Sequence, residues 1–228
     1  MPRVSHTEYI NKLEKTDGKP LLHTVVFESI NGPDHPIEGA DTLIPAAKNL
    51  GQIAGVREVR YVAPSISSNL IVEELALDNS EALQRLRTDP VHDAVVAVAS
   101  RQTNWRVVDR VMPNTYDEEQ PLIAAAKNRG GRPVMAHSLV TFDDSATEND
   151  IHSALGRYGD ALGNANTALV LPAEVSLSLD ERKGSIAIVR AAWHDQSLPG
   201  SFERSADYMS LAYDLGDIAT VSQVTHQL

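Results

Sequence analysis

The second half of the chain repeats the first half, and this repeat limits the possible folds more than any other feature of the sequence. The string Leu21–Val26 aligns with Met135–Val140, and both strings carry a histidine at the third position. The offset is 137 − 23 = 114 positions, half of the 228 residues. A repeat with so long a period indicates a duplicated domain rather than a solenoid.

The first half alternates strand-forming and helix-forming segments. β-Branched and aromatic residues favour strands over 21–27, 56–62, 70–77 and 105–111. Apolar residues at helical spacing, with Ser80 and Pro90 as start signals, favour helices over 40–54, 80–87 and 91–100. The resulting order, β-α-β-β-α-β, is that of a ferredoxin-like domain.

The second half gives the same order of elements. We predict strands over 134–142, 168–179 (interrupted at Pro172), 185–193 and 218–224. Helices are predicted over 201–215 and after a Thr147 cap, where Ile151, Leu155, Tyr158 and Leu162 share one face. The domain boundaries follow: an N-terminal extension with a short helix (1–20), a first domain (21–111), a Pro/Gly-rich linker (112–133) and a second, diverged domain (134–228).

Composition excludes several classes of function. Acidic residues outnumber basic ones by 31 to 20, which gives a net charge of −11, and such a surface repels nucleic acids and anionic lipids. The chain has no cysteine, so disulfides and thiolate-ligated metals are ruled out. No segment resembles a membrane helix or a signal peptide, and we expect a cytoplasmic protein that binds neither nucleic acid nor membrane.

An ordered set of short motifs in the first half is similar to a known family. These motifs span residues 21–111, and the first half resembles the stress-responsive dimeric α/β-barrel (Dabb) family. The second half resembles this family only in its element order and in the strand that carries His137. The segments that carry the resemblance are His23–Phe27, Ile53–Val56, Leu70–Glu74, Leu83–His92 and Trp105–Asp109.

The resemblance implies a particular assembly. Dabb proteins pack the sheets of two ferredoxin-like units into an α/β barrel, mostly by homodimerisation. A chain with two copies would close the barrel within itself, and any further homo-oligomer would use the outer surfaces. We therefore expect an α+β fold in which two tandem ferredoxin-like domains form a pseudo-symmetric dimeric α/β barrel.

The resemblance also implies a catalytic histidine. Family members include stable stress proteins, a plant polyketide cyclase and a plant hydroxynitrile lyase. In the cyclase branch the histidine of a Pro-x-His motif is the base, and this position is His92. The tyrosine and the third-strand histidine of that branch are replaced by Leu86 and Leu70. We expect His92 to be the acid or base and His23 to orient it or the substrate.

The predicted reaction is a cofactor-free lyase, cyclase or isomerase reaction on a small apolar or aromatic carbonyl compound. Histidine suits such proton transfer because its ordinary pKa lies near 6.5. We predict that no metal or cofactor takes part. The substrate would lie against Phe27, Tyr61, Glu73 and Trp105, although aromatic residues at strand positions are more often plain core.

Two neighbouring carboxylates lie on the third predicted strand. Successive strand residues point to opposite faces, so Glu73 and Glu74 lie on different faces of the sheet. Burial would raise the pKa of the inward carboxyl. We prefer the interpretation in which Arg57 or Arg60 on the neighbouring strand neutralises it.

The main alternative is a non-catalytic stress or scaffold protein with a packed barrel. An open apolar cavity reached by His92 would favour the enzyme, and a filled core would favour the scaffold. The second half has no counterpart of the segment Asp89–His92. At most one active pocket is therefore predicted for each chain, in the first domain.

Overall fold

The structure is a computed structural model that describes residues 18–32, 34–62, 69–111, 124–125, 128, 130–143, 145–165, 169–170, 174–176, 186–216 and 218–227. The described residues form two compact units, one within 18–111 and one within 124–227. The helix predicted in the N-terminal extension and most of the linker lie outside them. Among the described residues, no helix is long and apolar enough to cross a membrane.

The first unit is an α+β unit with one antiparallel sheet. The strand order is β2-β3-β1-β4, which is the ferredoxin-like order predicted from the sequence. The helix predicted over 40–54 ends earlier and continues as a 3-10 turn, Asn49–Gln52. Its elements are β1 (Leu21–Ser29), α1 (Ala40–Lys48), β2 (Val56–Val62), β3 (Leu70–Leu77), α2 (Ser80–Thr88), α3 (Pro90–Gln102) and β4 (Thr103–Val111).

Helices α2 and α3 meet at a single residue, Asp89. The α2 cap is Asn79, whose side chain accepts a hydrogen bond from the backbone N–H of Ala82 at 3.0 Å. The prediction of Ser80 as the cap was therefore wrong by one residue. Asp89 caps α3 by accepting from the N–H of Val91 at 2.8 Å, and Pro90 opens that helix as predicted. Two caps in succession force a sharp corner between the helices.

The second unit has the same layout. Its sheet order is β6-β8-β5-β9, with β7 also paired to β8. Within the strand predicted over 168–179, the described residues form two short strands, Leu169–Val170 and Glu174–Ser176. The elements are β5 (Val134–Phe142), α4 (Glu148–Asn164), β6 (Leu169–Val170), β7 (Glu174–Ser176), β8 (Ile186–Trp193), α5 (Leu198–Glu203), α6 (Ala206–Gly216) and β9 (Ala219–Gln227).

Helix α4 confirms the predicted cap and buried face. Thr147 accepts a hydrogen bond from the N–H of Asp150, and the Asp150 carboxylate accepts one from the N–H of Thr147 at 2.9 Å. This reciprocal pair satisfies two donors that the first turn would otherwise leave free. The predicted apolar face is buried against the sheet, at Ile151, Leu155, Tyr158 and Leu162.

The two repeats correspond with an offset one residue shorter than the sequence strings suggest. β1 and β5 are both nine residues long, and their first residues are 134 − 21 = 113 positions apart. His23 lies on the face of β1 that packs against helices, whereas His137 lies on the face of β5 opposite the helix core, across from Arg190. A slip of one residue exchanges the two faces of a strand. The positional counterpart of His23 is therefore Ala136, and the match of His23 with His137 in the two sequence strings is off by one residue.

Candidate active site

The helix-facing side of the first sheet is a mainly apolar core. Its strand residues alternate along β1 and β3, and the helices cover them with leucine, valine and alanine side chains. Such a core gains stability by excluding water. The strand residues that form it are Leu21, Val25, Phe27, Ile71, Leu75 and Leu77.

A row of polar side chains crosses this apolar face. Each strand of the sheet contributes one residue: Tyr61 from β2, Glu73 from β3, His23 from β1 and Asp109 from β4. Tyr61 lies directly opposite Glu73 in the strand pairing, and His23 lies directly opposite Asp109. Glu73 faces Val25, two residues from His23, so the two are diagonal neighbours on one face. We call these four residues the polar row.

His23 and Asp109 form the most buried part of the polar row. Nδ1 of His23 lies 2.5 Å from Oδ1 of Asp109, and the exposed fractions of these side chains are 5% and 0%. Arg87, at the end of α2, donates from Nη2 to the other carboxylate oxygen at 3.4 Å. Among the described residues, no hydrogen bond reaches Nε2 of His23. The carboxylate fixes the ring and leaves Nε2 available for proton transfer.

Glu73 is a buried carboxyl group with a tyrosine partner. The hydroxyl of Tyr61 donates to Oε2 of Glu73 at 3.0 Å. Burial raises the pKa of Glu73 from 4.5 to about 7, although the bond from Tyr61 and the nearby His23 oppose this shift. Burial and the adjacent Glu73 also raise the pKa of Tyr61. Glu73 lies on the helix-facing side of the sheet, so the raised pKa predicted for a carboxyl that points into the barrel stays a prediction.

Among the described residues, neither Arg57 nor Arg60 forms an ion pair with Glu73. Arg57 pairs with Asp78, and Nε of Arg60 donates to Glu58 at 2.6 Å. In the strand pairing Arg60 lies opposite Glu74, not Glu73, and it therefore belongs to the other face of the sheet.

His92 lies in the first turn of α3, near His23. Burial and the nearby His23 lower its pKa, and Asp93 opposes the shift. The Nδ1 atom of His92 is buried without a hydrogen-bond partner among the described residues. Arg87 and His92 are both partly exposed and flank Asp89. Tyr61, within the row itself, is also partly exposed.

Two of the predicted substrate-binding residues lie away from this cluster. Phe27 is buried in the apolar core, and Trp105, directly opposite it on β4, has an exposed fraction of 41%. Both are four residues along the strands from the His23–Asp109 pair, about 13 Å at the usual rise per residue. The sequence prediction also missed Asp109 and Arg87. Asp109 follows Val107 by two residues and therefore lies on the same face of the strand. A carboxylate on an apolar strand face was the signal that could have identified Asp109 as a site residue.

The second unit lacks the polar row. The strand pairing of β5 identifies the equivalent positions in the second unit. Ala136 is equivalent to His23, Val189 to Glu73 and Thr225 to Asp109. The helix-facing polar contact there is different, because Tyr158 donates to Ser138 Oγ at 2.7 Å. None of these side chains carries a charge at neutral pH. The described part of the second unit therefore offers no equivalent acid–base pair.

The polar row suits proton transfer better than metal binding. The row and the nearby His92 combine an imidazole held by a carboxylate, a second imidazole and a carboxyl with a pKa of about 7. Groups of this kind exchange protons at physiological pH. Among the described residues, no group of three or more histidine, aspartate or glutamate side chains is placed to hold a metal ion.

Comparisons with known proteins identify the fold. No protein-family model and no curated protein matches the chain. An anthrone oxidase-like protein matches with a TM-score of 0.53 and 12% identity over 92% of this chain and 91% of that one. A candidate monooxygenase from Fusobacterium nucleatum matches with a TM-score of 0.50 and 9% identity over 92% of both chains. Another match is a dimeric protein with a ferredoxin-like fold from Bacteroides fragilis. The match has 20% identity and a TM-score of 0.32, and it covers 41% of this chain and 96% of that one.

Proposed function

We propose that the first unit catalyses proton transfer on a small, neutral carbonyl compound, in a lyase, cyclase or isomerase reaction. The observation that carries this proposal is the buried pair formed by His23 and Asp109, with Nε2 of His23 left unbonded among the described residues. A histidine oriented by a buried carboxylate is a recurrent device for proton abstraction. Membership of the Dabb family is part of this proposal.

The burial of the polar row favours an enzyme over a packed scaffold. Taking charged groups out of water costs several kcal/mol for each ion, and apolar residues of the same size are often more stable. Here a histidine, its carboxylate partner and a second carboxyl share a face that is otherwise filled by leucine, isoleucine, valine and phenylalanine. A scaffold gains nothing from this arrangement, whereas perturbed titratable groups are typical of active sites.

The proposed step breaks a C–H bond next to the carbonyl group. Nε2 of His23 takes the proton, and the electron pair of the broken bond moves towards the carbonyl oxygen. Asp109 holds the imidazole in the required orientation, and Arg87 donates a hydrogen bond to the other oxygen of its carboxylate. The sequence predicted the opposite roles for His23 and His92. We assign His92, whose pKa is lowered and which reaches the surface, to proton exchange with water.

The fold supports a small-molecule enzyme only by analogy. An anthrone oxidase-like protein and a candidate monooxygenase share it across most of the chain. Their names describe enzymes that act on small molecules, and one fold hosts many reactions. The polar row of this chain, rather than the names of its neighbours, therefore determines the proposed chemistry.

We also propose that the two domains close a barrel through the sheet faces opposite their helices. In the first domain this face carries Leu22, Val26 and Val72, and in the second it carries Met135 and Leu139. Apolar faces of this size are normally covered. Because the domains share one chain, their effective concentration is in the millimolar range, which favours pairing within a chain over pairing between chains.

A cysteine pair tests the barrel. The chain has no cysteine, so Val26→Cys with Leu139→Cys provides the only two thiols. We expect a short bis-maleimide to give a crosslinked monomer, seen by mass spectrometry of peptides. The control pair places the second cysteine at Val140, which lies in the helix-facing core, and should crosslink poorly. Crosslinked dimers alone would show that the sheets pair between chains.

Solvent deuterium exchange tests the proposed reaction without the natural substrate. We expect the protein to catalyse exchange of the α-protons of acetophenone or methyl butyl ketone in D₂O, followed by NMR. A general base contributes about 10²–10⁴-fold, and His23→Gln should lose a factor in this range. His92→Gln should lose less than about tenfold, because water reaches that end of the site and can carry the proton.

The control for these variants is His35→Gln. His35 is an exposed histidine of the first unit whose side chain makes no hydrogen bond to a described residue, and its replacement should leave the exchange rate unchanged. An unmodified protein that accelerates no exchange, or a His23→Gln variant as active as His35→Gln, would contradict the proposed function.

A further inference from the structure

We propose that Glu73, in its protonated form, is a catalytic hydrogen-bond donor that stabilises the oxyanion formed when His23 removes a proton. This inference rests on the proposed function and adds to it the group that receives the charge. Removing a proton next to a carbonyl leaves negative charge on the carbonyl oxygen. Donors positioned for that charge usually give the largest single catalytic effect.

The position of Glu73 is the first support. It lies on the same face as His23 and one diagonal step away, since Glu73 pairs with Val25 and His23 pairs with Leu75. Diagonal neighbours in a sheet are about 7–8 Å apart. A small substrate between the two side chains can therefore meet a base with its α-carbon and a donor with its carbonyl oxygen.

The hydrogen bond from Tyr61 determines which oxygen of Glu73 is available. With the tyrosine hydroxyl donating to Oε2 at 3.0 Å, the proposed neutral carboxyl carries its proton on Oε1. Among the described residues, no hydrogen bond reaches Oε1 and no arginine or lysine forms an ion pair with Glu73. Glu73 therefore has one free donor and no arginine or lysine partner among the described residues, and His23 is the basic group near it.

The charge balance of the site agrees with a neutral Glu73. Asp109 and Arg87 offset each other, and the groups facing Glu73 are Tyr61 from β2 and His23 from β1, with Asp109, Arg87 and His92 beyond them. Burial opposes a second carboxylate at this place. Its raised pKa, about 7, keeps a substantial neutral fraction at physiological pH.

The inferred step is balanced within the site. The C–H bond breaks, Nε2 of His23 gains the proton, and the carbonyl oxygen gains the electron pair. The O–H of Glu73 donates a hydrogen bond to that oxygen and, for a full enol, transfers its proton and becomes a carboxylate. Return of both protons restores the starting state. In an elimination, the leaving group departs with its bonding electron pair and takes the proton from His23, while the re-formed carbonyl returns the enol proton to Glu73. The substrate class is thus a neutral, enolisable ketone or aldehyde.

Three variants separate donation from structure, with the ketone exchange rate as readout. Glu73→Gln keeps an N–H donor and an acceptor for Tyr61, so it should retain the rate within about tenfold. Glu73→Leu removes the donor and should lose about 10²–10³-fold. The alkaline fall in rate, near pH 7 in the unmodified protein, should be absent in Glu73→Gln. In Tyr61→Phe it should move to higher pH, because the lost hydrogen bond favoured the ionised form.

Infrared spectroscopy gives a readout that needs no ketone. A protonated carboxylic acid C=O band should be present at pH 6, disappear with a midpoint near 7, and be missing in Glu73→Gln. The matched control, Glu58→Gln, replaces a carboxylate of β2 paired with Arg60 and should leave this band in place. A band that is absent at pH 6 would overturn the role of Glu73.

The outcomes also distinguish this inference from the proposed function. If the unmodified protein exchanges ketone protons and Glu73→Leu does so equally fast, Glu73 is not the donor, while the role of His23 stands. If the unmodified protein exchanges none, the proposed function fails, and this inference fails with it.

Discussion

Asp109→Asn is expected to lower the rate of ketone proton exchange by about 10²–10⁴-fold while the protein stays folded. The carboxylate accepts from Nδ1 of His23 and thereby leaves Nε2 free to act as a base. An asparagine can present its amide N–H₂ to the ring instead, and then favours the tautomer whose Nε2 already carries a proton. In a serine protease triad the same substitution costs about 10⁴-fold for this reason.

The expected loss of stability is small enough for the comparison to be valid. Replacing one partner of a buried hydrogen bond costs about 1–3 kcal/mol, against a total of about 5–15 kcal/mol for a typical domain. The control is Asp78→Asn, which removes an exposed ion pair with Arg57 and should cost about 0–1 kcal/mol. Equal exchange rates in the two variants would show that Asp109 has only a structural role.

Among glycine-to-alanine substitutions at the described glycines of the first unit, Gly55→Ala is expected to cause the largest loss of stability. Gly55 has a φ of +94°, and an added Cβ would lie 2.6 Å from Cβ of Ala82 in α2. A left-handed conformation costs a non-glycine residue about 1–2 kcal/mol, and overpacking adds about 1–3 kcal/mol. We therefore expect a loss of about 2–5 kcal/mol in the free energy of unfolding, measured by chemical denaturation.

Gly32→Ala is the matched control for this substitution. Gly32 also has a positive φ, +101°, but nothing lies within 4 Å of the added Cβ, so only the backbone cost of about 1–2 kcal/mol applies. Gly55 packs against the helix that ends with Arg87, so ketone exchange should fall along with stability only in Gly55→Ala. Equal losses of stability in both variants would contradict the tight packing of α2 against this turn.

The sequence predicted the order of elements because each element carries its own signal. Period-2 alternation, apolar residues at helical spacing and caps such as Thr147 with Asp150 act locally. The structure confirms the ferredoxin-like order of both units, but the single helix predicted over 201–215 is two helices, Leu198–Glu203 and Ala206–Gly216. The 3-10 turn after α1 and the cap at Asn79 are further differences.

The offset between the repeats needed strand pairing, which the sequence leaves open. Eight of the nine residues of β1 and of β5 are buried, so neither strand shows an alternation that identifies its faces. Without that signal, a match of His23 with His137 is as good as a match with Ala136. A one-residue error then reverses the face of every residue in the repeat.

The sequence identified some residues of the polar row but not how they pair, for a related reason. Histidines and paired glutamates stand out in apolar strands, and His23, Tyr61, Glu73 and His92 were all identified. The partners are 86 residues apart in the case of His23 and Asp109, and only the antiparallel register brings them together. The partner of Glu73 is Tyr61 rather than an arginine. This also depends on which residues face each other across two paired strands, and the sequence alone does not give that pairing.

A double-variant cycle on ketone exchange tests most directly the claim that His23 and Asp109 act as one proton-accepting unit. The exchange rate would be measured for the unmodified protein, His23→Gln, Asp109→Asn and the combined variant. If the carboxylate acts only through the imidazole, the combined variant should be no slower than His23→Gln alone, since residues that act as a unit are strongly non-additive. Losses that multiply in the combined variant would show that the two residues act independently and would contradict this account.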